Sequence, residues 1–109
     1  MATITYSLHD LNPSVAIHPG TIIKDELDER GLSQRAFASL IDCSYSVLNE
    51  ILNGKRPVSA DLALRTEAAL GVKAYMLVDL QAKYNLQKAA ANSGLSALLS
   101  RIRAAAVAL

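Results

Sequence analysis

Tryptophan is absent from this chain, phenylalanine occurs once, and cysteine occurs once, at Cys43. A single cysteine cannot close an internal disulfide, which excludes a disulfide-stapled scaffold and gives no pointer to an oxidising compartment. Three prolines and five glycines in 109 residues are too few for a linker-like chain, and no repeat interrupts the sequence before its alanine-rich tail. No apolar run approaches the length of a bilayer span. The opening MATITYSLHDLNPSVAIHPG lacks the basic segment and continuous apolar stretch of a secretory signal. The expectation is a soluble cytoplasmic protein that does not engage a membrane. A charge excess is missing too: the formal net charge is +1, so the chain as a whole carries no polyelectrolyte signal for nucleic acid.

What the chain has is aliphatic material. Hydrophobic residues make up 51%, mostly Leu, Ala, Ile and Val, enough for one helical core and for one domain of this length. Charge is unevenly spread. Residues 19–71 hold six bases and eight acids, whereas residues 72–109 hold five bases and one acid. Any contact with DNA must therefore depend on where individual charges sit.

Residues 1–18 read as an extended arm, in which TITYSL alternates like a short strand without an evident partner. The first helix opens at HPGTIIKDELDERG, with Pro19 in its first turn, Ile22, Ile23 and Leu27 inward, and Gly31 as its stop. Ser33 caps a second helix whose Phe37, Ala38 and Ile41 face inward. After a break at Asp42-Cys43, Ser44 caps a third helix with Leu48, Ile51 and Leu52 at i, i+3 and i+4. Gly54 ends it. Ser59 caps a fourth helix that stops at Gly71, and a fifth runs from about Ala74 with Leu77, Leu80 and Tyr84 recurring along it. A last helix near Leu95–Val107 carries Leu95, Leu98, Leu99 and Ile102 on one side, a stripe suited to its own domain or to a second subunit.

With its aliphatic residues inward, the third helix presents Tyr45, Ser46, Asn49, Glu50 and Asn53 as one contiguous face. That face is short-chained and rich in hydrogen-bonding groups. Asn can address adenine through paired donor and acceptor atoms, Ser can contact several base edges or a phosphate, and Tyr45 can donate to phosphate or pack on a thymine methyl. Lys55 and Arg56 follow where a loop passes a DNA backbone. Ser33-Gln34 supplies polar groups and free N–H donors at the start of the second helix. Two short helices joined by a brief break are the arrangement of a helix-turn-helix. Glu50 opposes this reading, because a carboxylate near phosphates is repelled unless it accepts from cytosine or pairs with Arg56.

The stretch SQRAFASLIDCSYSVLNEILNGKRPVSADLALRTEAALG resembles the helix-turn-helix domain of phage-repressor-type regulators. Together with HPGTIIKDELDERGLSQ before it and YMLVDLQAKYNL after it, it resembles more narrowly the HigA-type antitoxins, over roughly residues 17–86. The resemblance implies an all-α, five-helix, lambda-repressor-like helix-turn-helix domain at 19–86, with a helical extension at 87–109. It implies a homodimer that binds double-stranded operator DNA, neutralises a HigB-type ribonuclease toxin and represses its own operon. By position, Gln34 and Ser44 match backbone-contacting places, Tyr45, Ser46 and Asn49 match base-reading places, and Asn53, Lys55 and Arg56 match the phosphate-contacting turn. The chain departs from the pattern at Asp42, where the family usually has glycine, and at Tyr45, where it often has a basic residue or glutamine.

Other chemistries find little support. His9 and His18 lack ligand-spaced partners and read as exposed or capping residues, not metal ligands. Cys43 reads as a small buried filler. Neither a nucleophile-base arrangement, a phosphate-cradling glycine loop nor a paired-carboxylate site is present, so the chain reads as a non-enzyme without a cofactor. The acids from Asp25 to Glu29 read as a solvated face, or as a surface for a basic toxin. A stand-alone transcriptional regulator and a protein-only interaction module with a degenerate helix-turn-helix are the alternative readings.

Overall fold

The structure, a computed structural model, describes residues 17–109; the TITYSL segment and His9 lie outside that range. Among the described residues there are six helices and no strand: α1 (Pro19–Arg30), α2 (Gln34–Leu40), α3 (Tyr45–Leu52), α4 (Ala60–Leu70), α5 (Ala74–Ala90) and α6 (Ser93–Val107). Residues 17–82 form one compact unit, and residues 83–109 belong to a second.

The first unit is organised by its caps. Ser33, Ser44 and Ser59 each accept a backbone N–H three residues on, from Ala36, Val47 and Leu62, all at 3.1 Å. Replacing such a cap by alanine typically costs about 1 kcal/mol. At α1 the cap is His18, whose Nδ1 accepts from the Gly20 N–H at 2.9 Å. It is 7% exposed, so of the two expectations for this residue it meets the capping one and not the exposed one. Gly31 closes α1 in the left-handed region at φ 65°, and the Leu32 N–H reaches back to Leu27 O at 2.9 Å. Leu32 then packs on the core.

At seven and eight residues, α2 and α3 are too short to hold in isolation, so packing must stabilise them. Phe37, Leu48, Ile23, Leu27 and Leu77 are fully buried and draw α1, α2, α3 and the start of α5 around one core. Removing a buried phenylalanine from such a core costs about 3–5 kcal/mol. The predicted inward residues Ile41, Ile51 and Leu52 join it, and Cys43, expected to be buried, packs half-buried at its edge. Polar links fasten the rest. Arg30 bonds both Glu26 Oε1 and Leu70 O, at 2.9 and 2.7 Å, the second of these tying α1 to the end of α4. Gln81 Oε1 accepts from the buried Val58 N–H at 2.8 Å.

In the second unit, α6 begins two residues earlier than its leucine pattern suggests, because Asn92 Oδ1 accepts from the Leu95 N–H at 2.9 Å. α6 buries none of its residues; Leu98 and Ile102 are exposed, and Leu95 and Leu99 are half-buried. No described helix is long and apolar enough to cross a membrane.

Candidate nucleic-acid interface

The angle between α2 and α3 is set by the turn at residues 41–44. Asp42 takes φ 56° there, the single non-glycine residue at positive φ among those described. A β-carbon makes that conformation costly, although Asp tolerates it better than most residues. The turn is held from two sides. The Cys43 N–H donates to Ala38 O at 2.9 Å. From α4, Arg65 Nη1 donates to Ile41 O and Asp42 O at 3.1 and 2.8 Å, while its Nε pairs with Asp61 at 2.6 Å. Ser44 follows as the cap of α3; its oxygen accepts from Val47, which leaves the hydroxyl proton to donate outward.

The burial of Leu48, Ile51 and Leu52 fixes the roll of α3. Tyr45, Ser46 and Asn53 are exposed, and Asn49 and Glu50 are half-buried, so these five residues share the outward side. The side chains interlock. Asn49 Nδ2 donates to Gln34 Oε1 at 2.9 Å, which brings the predicted backbone residue of α2 against the predicted reader of α3. Asn53 Nδ2 donates to Asn49 O at 2.9 Å and to Asn49 Oδ1 at 3.2 Å.

Past α3, Asn53 caps the helix and Gly54 turns the chain at φ 76°, with Gly54 N–H and Lys55 N–H closing onto Ile51 O and Glu50 O. Lys55 and Arg56 emerge exposed beside the outward face. Arg56 Nε pairs with Glu50 Oε1 at 2.7 Å, so the carboxylate that opposed a DNA reading is neutralised within the face. Both side chains stay about half exposed, at 53% and 43%, and such a pair contributes about 0–1 kcal/mol to stability. Its effect is on surface potential. Gln34, Tyr45, Ser46, Asn49, Asn53, Lys55 and Arg56 thus surround one surface, with Ser44 at its margin.

Two residues of this region escaped the sequence reading. Arg35 lies over the Tyr45 ring, its guanidinium carbon 4.2 Å from the centroid. Arg65 clamps the turn. A contact between positions 35 and 45 follows no helical spacing; the Asp61–Arg65 spacing of i, i+4 was the available signal for the other. Among the described residues no group of three His, Cys, Asp or Glu side chains is placed to hold a metal ion.

Comparison with known proteins adds a context. A family model described as helix-turn-helix matches residues 23–77. The chain is 39% identical over 79 residues to virulence-associated protein I of Dichelobacter nodosus, covering 72% of this chain and 73% of that protein. Among solved structures it is similar to the Pseudomonas aeruginosa antitoxin HigA with the higBA promoter, at TM-score 0.68 and 35% identity, covering 74% of this chain and 89% of that one. It is also similar to an addiction module antidote protein of the HigA family from Coxiella burnetii, at TM-score 0.67 and 32% identity, with the same two coverages.

Proposed function

The chain belongs to the helix-turn-helix family, and we propose that it is a HigA-like antitoxin that binds its own operator as a homodimer, represses its operon and neutralises a HigB-type ribonuclease. The observation that carries the DNA-binding part is the bridged polar face of α3, where Asn49 is joined to Gln34 and flanked by Lys55 and Arg56. Similarity to an antitoxin solved with its promoter supports the same reading.

In this reading α3 enters the major groove. Tyr45, Ser46 and Asn49 reach base edges there, and Gln34, Ser44, Asn53, Lys55 and Arg56 hold the phosphates on either side. One eight-residue helix spans few base pairs, so a two-fold pair reading a palindrome supplies the missing specificity.

The test is co-expression with the product of the neighbouring gene, followed by size-exclusion chromatography with and without the upstream DNA. A ternary complex is expected, together with a gel shift that weakens steeply as salt rises. DNA binding without a toxin partner would reduce the assignment to a stand-alone regulator. Binding of a partner protein with no shift at low salt would replace it with a protein-only module.

A further inference from the structure

We infer that Tyr45, held in place by Arg35, is a reader of thymine C5-methyl groups in the major groove. This inference rests on the DNA-binding reading above and names one feature of the operator that reading requires.

Tyr45 is the first residue of α3 and one of the residues nearest a base edge when such a helix docks by its N-terminal end. Its neighbours on the outward face, Ser46, Asn49, Glu50 and Asn53, are all polar, so the ring is the apolar surface of that face. It remains 39% exposed. Of the groups that base pairs present in the major groove, the thymine methyl is the apolar one; the rest are donors and acceptors. Apolar area on the protein therefore matches a single feature of the DNA.

The Arg35 guanidinium, 4.2 Å from the ring centroid, decides between the two ways a tyrosine can contact DNA here. A phenolic hydroxyl can donate one hydrogen bond to a phosphate. Arg35, one residue after Gln34 in α2, carries five charged donors over the same ring, a stronger phosphate contact than a single phenol, so in this inference that task falls to Arg35. Stacking also restricts the ring before DNA arrives, so less rotamer freedom is lost on docking. Arg35 covers the ring from one side, and in this inference the surface of Tyr45 left uncovered is assigned to the thymine methyl. Arg35 is thus a positioning residue for Tyr45, acting beside its own attraction for phosphate.

The test replaces thymines of the upstream DNA one at a time with deoxyuridine, which keeps the O4 acceptor and lacks the methyl. At least one position per half-site is expected where wild-type affinity falls about fourfold, the value of one buried methyl-sized group. Tyr45→Ala should bind thymine and uracil duplexes alike, whereas Tyr45→Phe should retain the full discrimination. Arg35→Lys keeps the charge but loses the planar stack, so it should lower the thymine-to-uracil ratio while leaving the salt slope unchanged. Unchanged thermal midpoints would show that these exposed substitutions leave the fold intact. An operator that is bound but contains no methyl-sensitive thymine overturns the inference alone. So does an equal loss of binding in Tyr45→Phe and Tyr45→Ala, which would assign the hydroxyl to a phosphate. If no upstream DNA is bound at all, the function proposed above falls with it.

Discussion

The side-chain amide of Asn49 donates to Gln34 Oε1 at 2.9 Å, joining the middle of α3 to the first residue of α2. Because Asn49 Oδ1 also accepts from Asn53, the amide plane is held at both ends before any ligand arrives. A bidentate contact to adenine needs one acceptor and one donor from that plane. In the proposed DNA complex the bridge would orient both and leave the Gln34 N–H groups for a phosphate, so that a residue on α2 would shape what α3 reads.

Asn49→Ala should therefore lower discrimination between the operator and unrelated DNA by about 1–3 kcal/mol. Gln34→Ala should lose part of the same discrimination even though the proposal assigns Gln34 to a phosphate and not to a base. The two losses should not add: a double-mutant cycle is expected to give a coupling of about 0.5–3 kcal/mol. Fluorescence anisotropy on specific and scrambled duplexes measures all four proteins, and strict additivity would disconnect the bridge from readout.

The Glu50–Arg56 pair yields a prediction of opposite sign. Glu50→Gln removes a carboxylate from the face and frees a guanidinium that now spends its Nε on that partner. Affinity for any duplex should rise, and the salt dependence should steepen by up to about 0.9 for one added phosphate contact. Lys55 is exposed, and Lys55→Ala should flatten the slope by a similar amount for all sequences. Titrations over a range of salt concentrations test both, and a Glu50→Gln protein of unchanged slope would mean that Arg56 has no phosphate within reach.

Local rules made much of this molecule legible in its sequence. Ser33, Ser44 and Ser59 sit one residue before their helices, and Gly31, Gly54 and Gly71 stand where helices end with φ between 65° and 76°. Such signals act within four or five residues, as does the spacing that buried Leu48, Ile51 and Leu52. The outward face of α3 followed by subtraction. What stayed hidden depends on chain segments far apart in sequence: Arg65 bonding a turn 23 residues away, Gln34 meeting Asn49, and Arg35 covering Tyr45. Periodicity is silent about which polar side chains of different helices meet. The burial of His18 was hidden for the same reason, since it depends on the packing around the start of α1.

Gly20 is a further case, because its role is visible only in the packing of α1 against α3. By helix propensity alone, alanine at this helical position should stabilise by about 1 kcal/mol. A β-carbon there would collide with the backbone oxygen of Ile51, an atom that no rotamer change can move, and would crowd His18 Nδ1 as well. Overpacking of this kind costs about 1–3 kcal/mol, more than the propensity gain. Gly20→Ala should lower the unfolding free energy in urea. Because Ile51 O also accepts from the Gly54 N–H, the loss should extend to DNA affinity through the Lys55–Arg56 turn. A more stable Gly20→Ala protein would refute the close approach.

The last prediction concerns the strained turn and its clamp. Asp42 at φ 56° costs on the order of 1 kcal/mol relative to glycine, which has no β-carbon to oppose that region. Arg65 offsets the cost by donating to Ile41 O and Asp42 O, the carbonyls that the left-handed turn directs toward α4. Asp42→Gly should thus stabilise the fold slightly. Arg65→Ala should destabilise the protein by about 1–3 kcal/mol, since two carbonyls lose a charged donor and Asp61 loses its partner. In the Asp42→Gly background the same substitution should cost less, because the turn no longer needs the clamp to hold its conformation. Urea unfolding of the four proteins gives the coupling, and operator affinity measured in parallel tells whether α3 moves with it. Equal costs of Arg65→Ala in both backgrounds would mean that the arginine stabilises α4 alone and leaves the turn to the Cys43–Ala38 hydrogen bond.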